Sequence, residues 1–397
     1  MGLNLPPEIL PLKSRPTAFN GSRISLLIPS CNSKYVFGGI STAIDIFLKF
    51  EKFYDYMRVV NTDTKEVVEC VNSLSDFKVI NDDLSSHVYK KSIVSVGDRR
   101  MSLPIGENDV FICTSWWSAY IMKDVIDWQQ RAFSKPRKFI LYLIQDYECL
   151  FYPWGSKYVL CKSTYIDPDS CIALFNSSLL KKYFENNGFS YKHSFYFEPV
   201  LNASLKTHLH QKDEAYQKKK SIFLYGRPSV DRNLFAVAVA ALKIWSNNYA
   251  DANSWEINSC GEYHEDIVLG KNIIKSKGKL TLNEYAEILS NSSVAVSFMI
   301  SPHPSYPPLE AATFGCKVLT NTYANKNLSN YHNNITSIVD LRPENIAENI
   351  SNLCSVYTEE LNPDTIVNLG FMEEYLKNDQ RGFSFFNKIV EILNGKS

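Results

Sequence analysis

The chain has 397 residues, 42 Lys and Arg balanced by 42 Asp and Glu, and a hydrophobic content of 45%. The zero net charge argues against nucleic acid or a strongly anionic surface as partner, because both call for a basic excess, and the apolar content excludes a disordered chain. Nine widely spaced cysteines, an odd number with no C-x-x-C pair, exclude a zinc ribbon or disulfide framework and point to reduced thiols in a cytoplasmic protein.

At about 150 residues per domain, the length suits two or three domains. The opening MGLNLPPEILPLKSRP lacks the basic start and apolar run of an export signal, and Pro6 stands where a myristoylation signal needs Ser or Thr. Arg23 to Pro29 reads as a fully buried strand, and the loop through Gly38 and Gly39 leads into a helix from Ser41 to about Phe53. Further strands follow at Asp109 to Cys113, Lys138 to Ile144 and Cys171 to Phe175. A helix starts near Ser118, and another is capped by Asn176 or Ser177. The polar segment Leu201 to Lys220 reads as a linker, with Lys218-Lys219-Lys220 as a solvated face.

Beyond it the alternation resumes. Ser221 to Tyr225 is a strand ending at Gly226, a helix covers about Asn233 to Trp245, and Trp255 to Asn258 is a strand ending at Gly261. Ile273-Ile274 leads to Gly278, Glu284 to Leu289 is helical, and Val294 to Ile300 is a strand. A helix from Leu309 to Phe314 is closed by Gly315 before the strand Cys316 to Thr320. The uncharged stretch Ile288 to Leu309 is long enough to cross a bilayer, but Pro302, Pro304, Pro307 and Pro308 cannot continue a helix, so no membrane span is expected. The expected fold class is α/β, with two doubly wound domains and a cleft at the carboxyl ends of their strands. The first is placed at residues 1–203 and the second at 204–379.

Three stretches carry candidate chemistry. Gly38-Gly39 would let backbone approach a ligand phosphate at a helix N-terminus, or form a plain strand-to-helix turn. In LYGRPSVDRN, Gly226 ends a strand and Arg227 and Arg232 flank a Pro-Ser turn. Two fixed guanidiniums suit a diphosphate; the alternative is that Arg227 pairs with Asp231 or another carboxylate. In SPHPSYPPLEAATFGCKVLTN, a proline loop leads to a helix opening near Pro308, with Glu310 in its first turn. That carboxylate either complements the helix N-terminus or accepts hydrogen bonds from sugar hydroxyls while the amides of Ser305 and Tyr306 face a phosphate.

Taken in order, the glycine loop at residue 38, Gly-Arg-x4-Arg from Gly226 to Arg232, Gly261, Gly278-Lys-Leu280, and Pro-x-Leu-Glu-Ala from Pro307 to Ala311 with Gly315 resemble the retaining GT-B glycosyltransferases of family four. Within that family the chain is most similar to bacterial surface-glycan L-rhamnosyltransferases, on SPHPSYPPLE and on LIQDYECLFYP from Leu143 to Pro153. The resemblance implies an acceptor-side first domain, a donor-binding second domain, and a helix within about 380–397 that packs back on the first. It implies a nucleotide-sugar donor, dTDP-L-rhamnose above others, a glycan acceptor, free or lipid-linked, retention of configuration, and a site in the cytoplasm, at the inner face of the membrane or in a larger assembly.

By position, Arg227 matches the diphosphate arginine, Arg232 replaces a lysine, Gly278 to Leu280 matches the turn that reads the base, and Glu310 matches the acid that holds the nucleoside sugar. Gly38, Gly39, Gly226 and Gly261 join the donor site, as do His303, Ser305 and Tyr306. Pro302 stands where the family has a first Glu, and Thr114-Ser115-Trp116 where many members have a histidine; His303 or other groups would substitute. Trp116, Trp117 and Tyr306 would contact the methyl face of a 6-deoxy sugar or belong to the core. On the acceptor side stand Gln145, Asp146, Tyr147 and Glu148, where Asp146 or Glu148 would orient or deprotonate the attacking hydroxyl or cap a helix. Asp167-Pro168-Asp169 reads as a proline turn, and neither metal nor other cofactor is expected. Two other readings stay open: a galactofuranose, mannose or glucose donor on the same fold, and a non-catalytic module that binds nucleotide sugar or glycan.

Overall fold

A computed structural model of the chain describes residues 6–35, 38–80, 88–167, 169–210, 218–356, 375–376 and 385–395. Two compact units emerge, Met1–Phe197 with Gly382–Ser397, and Glu198–Arg381. The break at Phe197 falls somewhat before the expected 203/204.

In the first unit the strands are β1 (Lys13–Pro16), β2 (Arg23–Ile28), β3 (Tyr56–Asn61), β4 (Lys78–Ile80), β5 (Lys91–Ser95), β6 (Ser102–Ile105), β7 (Asp109–Cys113), β8 (Ile140–Ile144), β9 (Cys171–Phe175) and β10 (His193–Tyr196). Helices α1 (Gly38–Leu48), α2 (Trp116–Phe133), α3 (Ser156–Ser163) and α4 (Ser178–Asn186) alternate with them. Eight strands form one parallel sheet in the order β10-β9-β8-β7-β2-β3-β5-β4, and β1 pairs with β6 separately. Strands β2, β7, β8 and β9 are buried along their whole length, as apolar runs covered on both faces must be. Ser115 caps α2 and Ser177 caps α4, each accepting an amide of the first turn.

In the second unit α5 (Ala203–His210), β11 (Lys219–Gly226), α6 (Phe235–Asn248), β12 (Glu256–Gly261), β13 (Ile267–Val268), β14 (Ile273–Gly278), α7 (Leu282–Asn291), β15 (Ser292–Val296), α8 (Tyr306–Thr313), β16 (Lys317–Asn321), β17 (Ile335–Ile338) and α9 (Pro343–Ser355) follow in order. The sheet order is β13-β14-β12-β11-β15-β16-β17, parallel apart from the β13–β14 edge. Both large sheets reverse strand order beside their first strand, between β2 and β7 and between β11 and β15. Such switch points open a crevice at the carboxyl ends of the strands. Last comes α10 (Phe385–Leu393), whose Phe386, Ile389, Ile392 and Leu393 join β2, β3 and α1 in the first unit's core.

Several local expectations need correction. The linker contains α5, where Leu205 is buried, and α5 packs on α7. Lys218 is not on a solvated face: its Nζ is buried and donates to the Leu289 carbonyl at 2.8 Å, closing the end of α7, and burial lowers its pKa. Gly38 and Gly39 are the first residues of α1 and not a loop before it. Strand β15 stops at Val296, because the Asn321 side chain takes both the amide and the carbonyl of Met299, at 2.7 and 3.0 Å.

Candidate functional site

Strands β11, β12 and β14 end side by side on glycine. Gly226 lies in register with Gly261, and Gly278 with Cys260. A Cβ at Gly226 would stand 2.1 Å from Ser259 Oγ, and one at Gly261 would stand 2.7 Å from the Gly226 carbonyl. Gly261 and Gly278 also have φ of +135° and +63°, where a side chain is strained. The strand ends thus form a floor of bare backbone, as close approach by a ligand requires.

Arg227 starts the turn beyond this floor. Val230 N–H donates to the Arg227 carbonyl at 3.0 Å, and the Ser229 amide and hydroxyl both donate to Glu262 Oε2, at 3.1 and 2.8 Å. Those bonds hold the Glu262 carboxyl below its ordinary pKa, with Arg227 and His264 adding to the effect. Of the nearby carboxylates it is Glu262 that feels Arg227, and no ion pair between Arg227 and Asp231 occurs among the described residues. Arg232 follows on the other side of the switch point. Its carbonyl accepts the Ile300 amide at 2.8 Å, and the neighbouring Asn233 Nδ2 donates to the Phe298 carbonyl at 3.0 Å. These bonds fasten the arginine loop to the loop that follows β15.

Glu310 belongs to the same place. The helix α8 opens at Tyr306, two residues earlier than expected, with Pro307 and Pro308 in a first turn whose amides need no partner. Glu310 therefore lies beyond the first turn, which removes the reading as an N-terminal charge complement. Burial pushes its pKa up to about 7, partly opposed by Tyr285, whose hydroxyl donates to Oε2 at 2.8 Å. Burial raises the Tyr225 pKa; Arg227 and Arg232 pull it down and Glu310 adds to the rise.

Ser305 differs from expectation. Its amide donates to His303 Nδ1 at 3.0 Å instead of facing outward, and its φ is +69°, a strained value for serine. His303 is buried, donates its own amide to Ser301 Oγ at 2.9 Å, and packs its ring 5.5 Å from Tyr306. Leu280 follows Gly278 just before Thr281, which caps α7 with a capping box to Glu284.

In the first unit, the candidates divide. Gly39 and Gln145 meet: a Cβ at Gly39 would be 3.4 Å from Gln145 Oε1. Asp146 is half-buried at the end of β8, and its Oδ1 accepts the Tyr147 amide at 2.8 Å. The other three turn inward. Trp116 is fully buried and donates Nε1 to Tyr152 Oη at 2.9 Å; Tyr147 packs among Tyr165, Tyr183, Phe184 and Phe189. Glu148 Oε2 accepts the Trp116 amide at 2.6 Å, so it caps α2, the second of the two readings open for it, while Trp116 and Tyr147 are taken up by the first unit's core. Half-buried Trp117 instead donates Nε1 to Asp63 Oδ1 at 3.2 Å. Asp167 pairs with Lys123 at 3.5 Å; Pro168 lies outside the described residues.

Sequence reasoning passed over Tyr225, Tyr285 and Asn233. A tyrosine on the buried side of an amphipathic helix needs a hydroxyl partner, which is the signal Tyr285 offered.

The WsaF N-terminal domain matches residues 23–178 and the WsaF C-terminal domain matches residues 220–351, in that order and over most of the chain. The chain belongs to the WsaF family. Over 215 residues, 54% of its length, it is 28% identical to the O-antigen biosynthesis protein RfbC of Myxococcus xanthus, and the match spans only 15% of that protein. Among solved structures it resembles the lipopolysaccharide outer core galactosyltransferase WaaB, at 12% identity and TM-score 0.55, over 93% of this chain and 99% of that one. It also resembles WaaG, a glycosyltransferase involved in lipopolysaccharide biosynthesis, at 13% identity and TM-score 0.51, over 94% and 98%. The fold of this WsaF-family chain is GT-B.

Proposed function

We propose that this chain is a glycosyltransferase that moves L-rhamnose from dTDP-L-rhamnose onto a growing bacterial surface polysaccharide such as O-antigen, with retention of configuration. The observation that carries this reading is the pair Arg227 and Arg232 in the turn directly after the glycine floor, with the Arg232 carbonyl fastened to the loop that leads to Glu310. Cleavage of the anomeric bond leaves a nucleoside diphosphate. Two guanidiniums stabilise that charge as it develops, so the reaction draws on no metal. The Glu310 carboxylate accepts the 3′-hydroxyl of the deoxyribose. The WsaF match and the likeness to RfbC support a surface-glycan product, and Pro302 in place of an acid favours a 6-deoxy sugar. Exposed Phe151, Trp154, Val159 and Ile166 around α3, with Lys162, suit peripheral contact with the cytoplasmic face of a membrane that carries a lipid-linked acceptor.

A thermal-shift titration with dTDP, UDP, GDP and ADP tests the donor, since a ligand bound only by the folded protein raises its melting temperature. Selective stabilisation by dTDP, followed by dTDP release from dTDP-L-rhamnose in the presence of glycan, is the expected result. A response to UDP or GDP alone would replace the sugar, and nucleotide binding without turnover would replace the enzyme by a binding module.

A further inference from the structure

The first unit holds a cavity of about 1000 Å³ that the proposed reaction does not use. It lies against a part of the sheet with an unusual composition. Along β2, β3 and β5, Ile24, Leu26, Met57, Val59 and Ile93 face the core that α1 and α10 cover. The residues that alternate with them near the start of the strands are Arg23, Ser25, Arg58 and Ser92. Ser25, Arg58 and Ser92 stand abreast in register. Strands buried on both faces are ordinarily apolar throughout, so a polar row on interior strands marks something other than packing.

The charges there do not balance. Arg23 and Arg58 share one carboxylate, Asp109 Oδ2, at 2.6 and 3.5 Å, and both also donate to the Pro104 carbonyl. Burial and the neighbouring Arg23 lower the Arg58 pKa to about 9. Arg15, Lys65 and Arg100 line the same cavity, opposed by Glu66 and by Asp98, which Arg100 pairs at 2.5 Å. Two positive charges remain in excess. Half-buried Arg15 lines the cavity, and its Nε and Nη2 are shielded from solvent with no hydrogen-bond partner among the described residues. Two shielded donors without a partner carry a desolvation cost, which a turn of the Arg15 side chain toward an anion in the cavity would offset.

We propose that this cavity is an anion site for the phosphate or pyrophosphate of an organic phosphate, gripped by Arg15 beside the Arg23–Arg58 pair. The planar fork of Arg15 matches phosphate oxygens. The two excess charges match a dianion, and Val94, Val96 and Leu103 on the cavity wall accept its organic body. The phosphate could come from a soluble sugar phosphate or from a phospholipid headgroup.

The test uses the full chain carrying Arg227→Ala and Arg232→Ala, which silences the second unit's arginines, and calorimetric titration with inorganic pyrophosphate. One saturable site is expected to remain. Adding Arg15→Gln, which removes no hydrogen bond of the protein and should leave the melting temperature unchanged, weakens that site tenfold or more, and Arg15→Lys restores part of the affinity. Absence of saturable binding in the double variant, or equal affinity with and without Arg15→Gln, overturns the proposal. Malonate binding as tightly as pyrophosphate overturns the phosphate assignment. Glucose 1-phosphate and phosphatidylcholine vesicles doped with phosphatidic acid then separate the sources: Arg15-dependent binding to either supports the site and names its ligand, and binding to neither overturns it.

Discussion

Burial raises the Glu310 pKa while its carboxyl accepts the Tyr285 hydroxyl. Its folded pKa of about 7 stands above the ordinary 4.5, so the folded state favours the proton. The resulting cost to stability is absent below the unfolded pKa, grows as pH rises from about 4.5 to about 7, and is constant above that. Glu310→Gln should therefore stabilise the protein by about 3 kcal/mol at pH 8 and by little at pH 4.5, as measured by chemical denaturation. Nucleotide binding runs the other way, because the 3′-hydroxyl of the dTDP deoxyribose donates to the ionised form. Affinity for the nucleoside diphosphate should rise roughly tenfold between pH 6 and pH 8. That slope should vanish in Glu310→Gln, and a wild-type affinity flat in pH would return Glu310 to a structural role. The two arginines call for a different readout: Arg227→Ala and Arg232→Ala should each lower donor turnover by about 100-fold or more, with melting temperature unchanged. These three residues were legible because chemistry-bearing side chains beside glycine and proline leave a local pattern. Tyr225 was not, since a tyrosine at a strand end looks like core until its neighbours are known.

At the level of elements, legibility tracked how uniformly apolar a strand is. Asp109 to Cys113 and Cys171 to Phe175 were bounded correctly because every position is buried. β3 was overlooked because Arg58 and Asn61 interrupt its apolar run; both are buried and hydrogen-bonded, to Ser25 and to the Cys31 amide. The stretch from Gln145 to Glu148 shows the same limit in a functional segment. Four polar or aromatic residues after a buried strand offered four candidates, and only the fold separates Gln145 and half-buried Asp146 from the α2 cap Glu148 and the core residue Tyr147. That separation is measurable. Glu148→Ala removes a charge-assisted bond to the first amide of α2, so it should cost about 1–2 kcal/mol of stability. Asp146→Ala should leave stability nearly unchanged and lower turnover. The opposite pairing of effects would exchange the two roles.

For the whole molecule, chain order and core do not coincide. The first unit is built from residues before Phe197 and completed by α10, which follows the entire second unit in sequence. Phe386, Ile389, Ile392 and Leu393 recur at helical spacing and are each at most 2% exposed, packed with β2, β3 and α1; the Phe386 ring meets Phe50 edge-on at 4.7 Å. Losing four such side chains would uncover apolar surface worth roughly 5 kcal/mol, a large part of the stability of an ordinary domain. A chain ended after Arg381 should therefore show a first unit that melts at much lower temperature and exposes apolar surface to a fluorescent dye. The second unit has its own core around β11, β12, β15 and α6. In the shortened chain it should still be stabilised by dTDP. Milder Ile389→Ala, at about 2–4 kcal/mol, should move the first unit in the same direction. If the shortened chain instead lost nucleotide binding in step with the first unit's melting, the two units would depend on one another for folding, and α10 would matter to donor binding through that dependence.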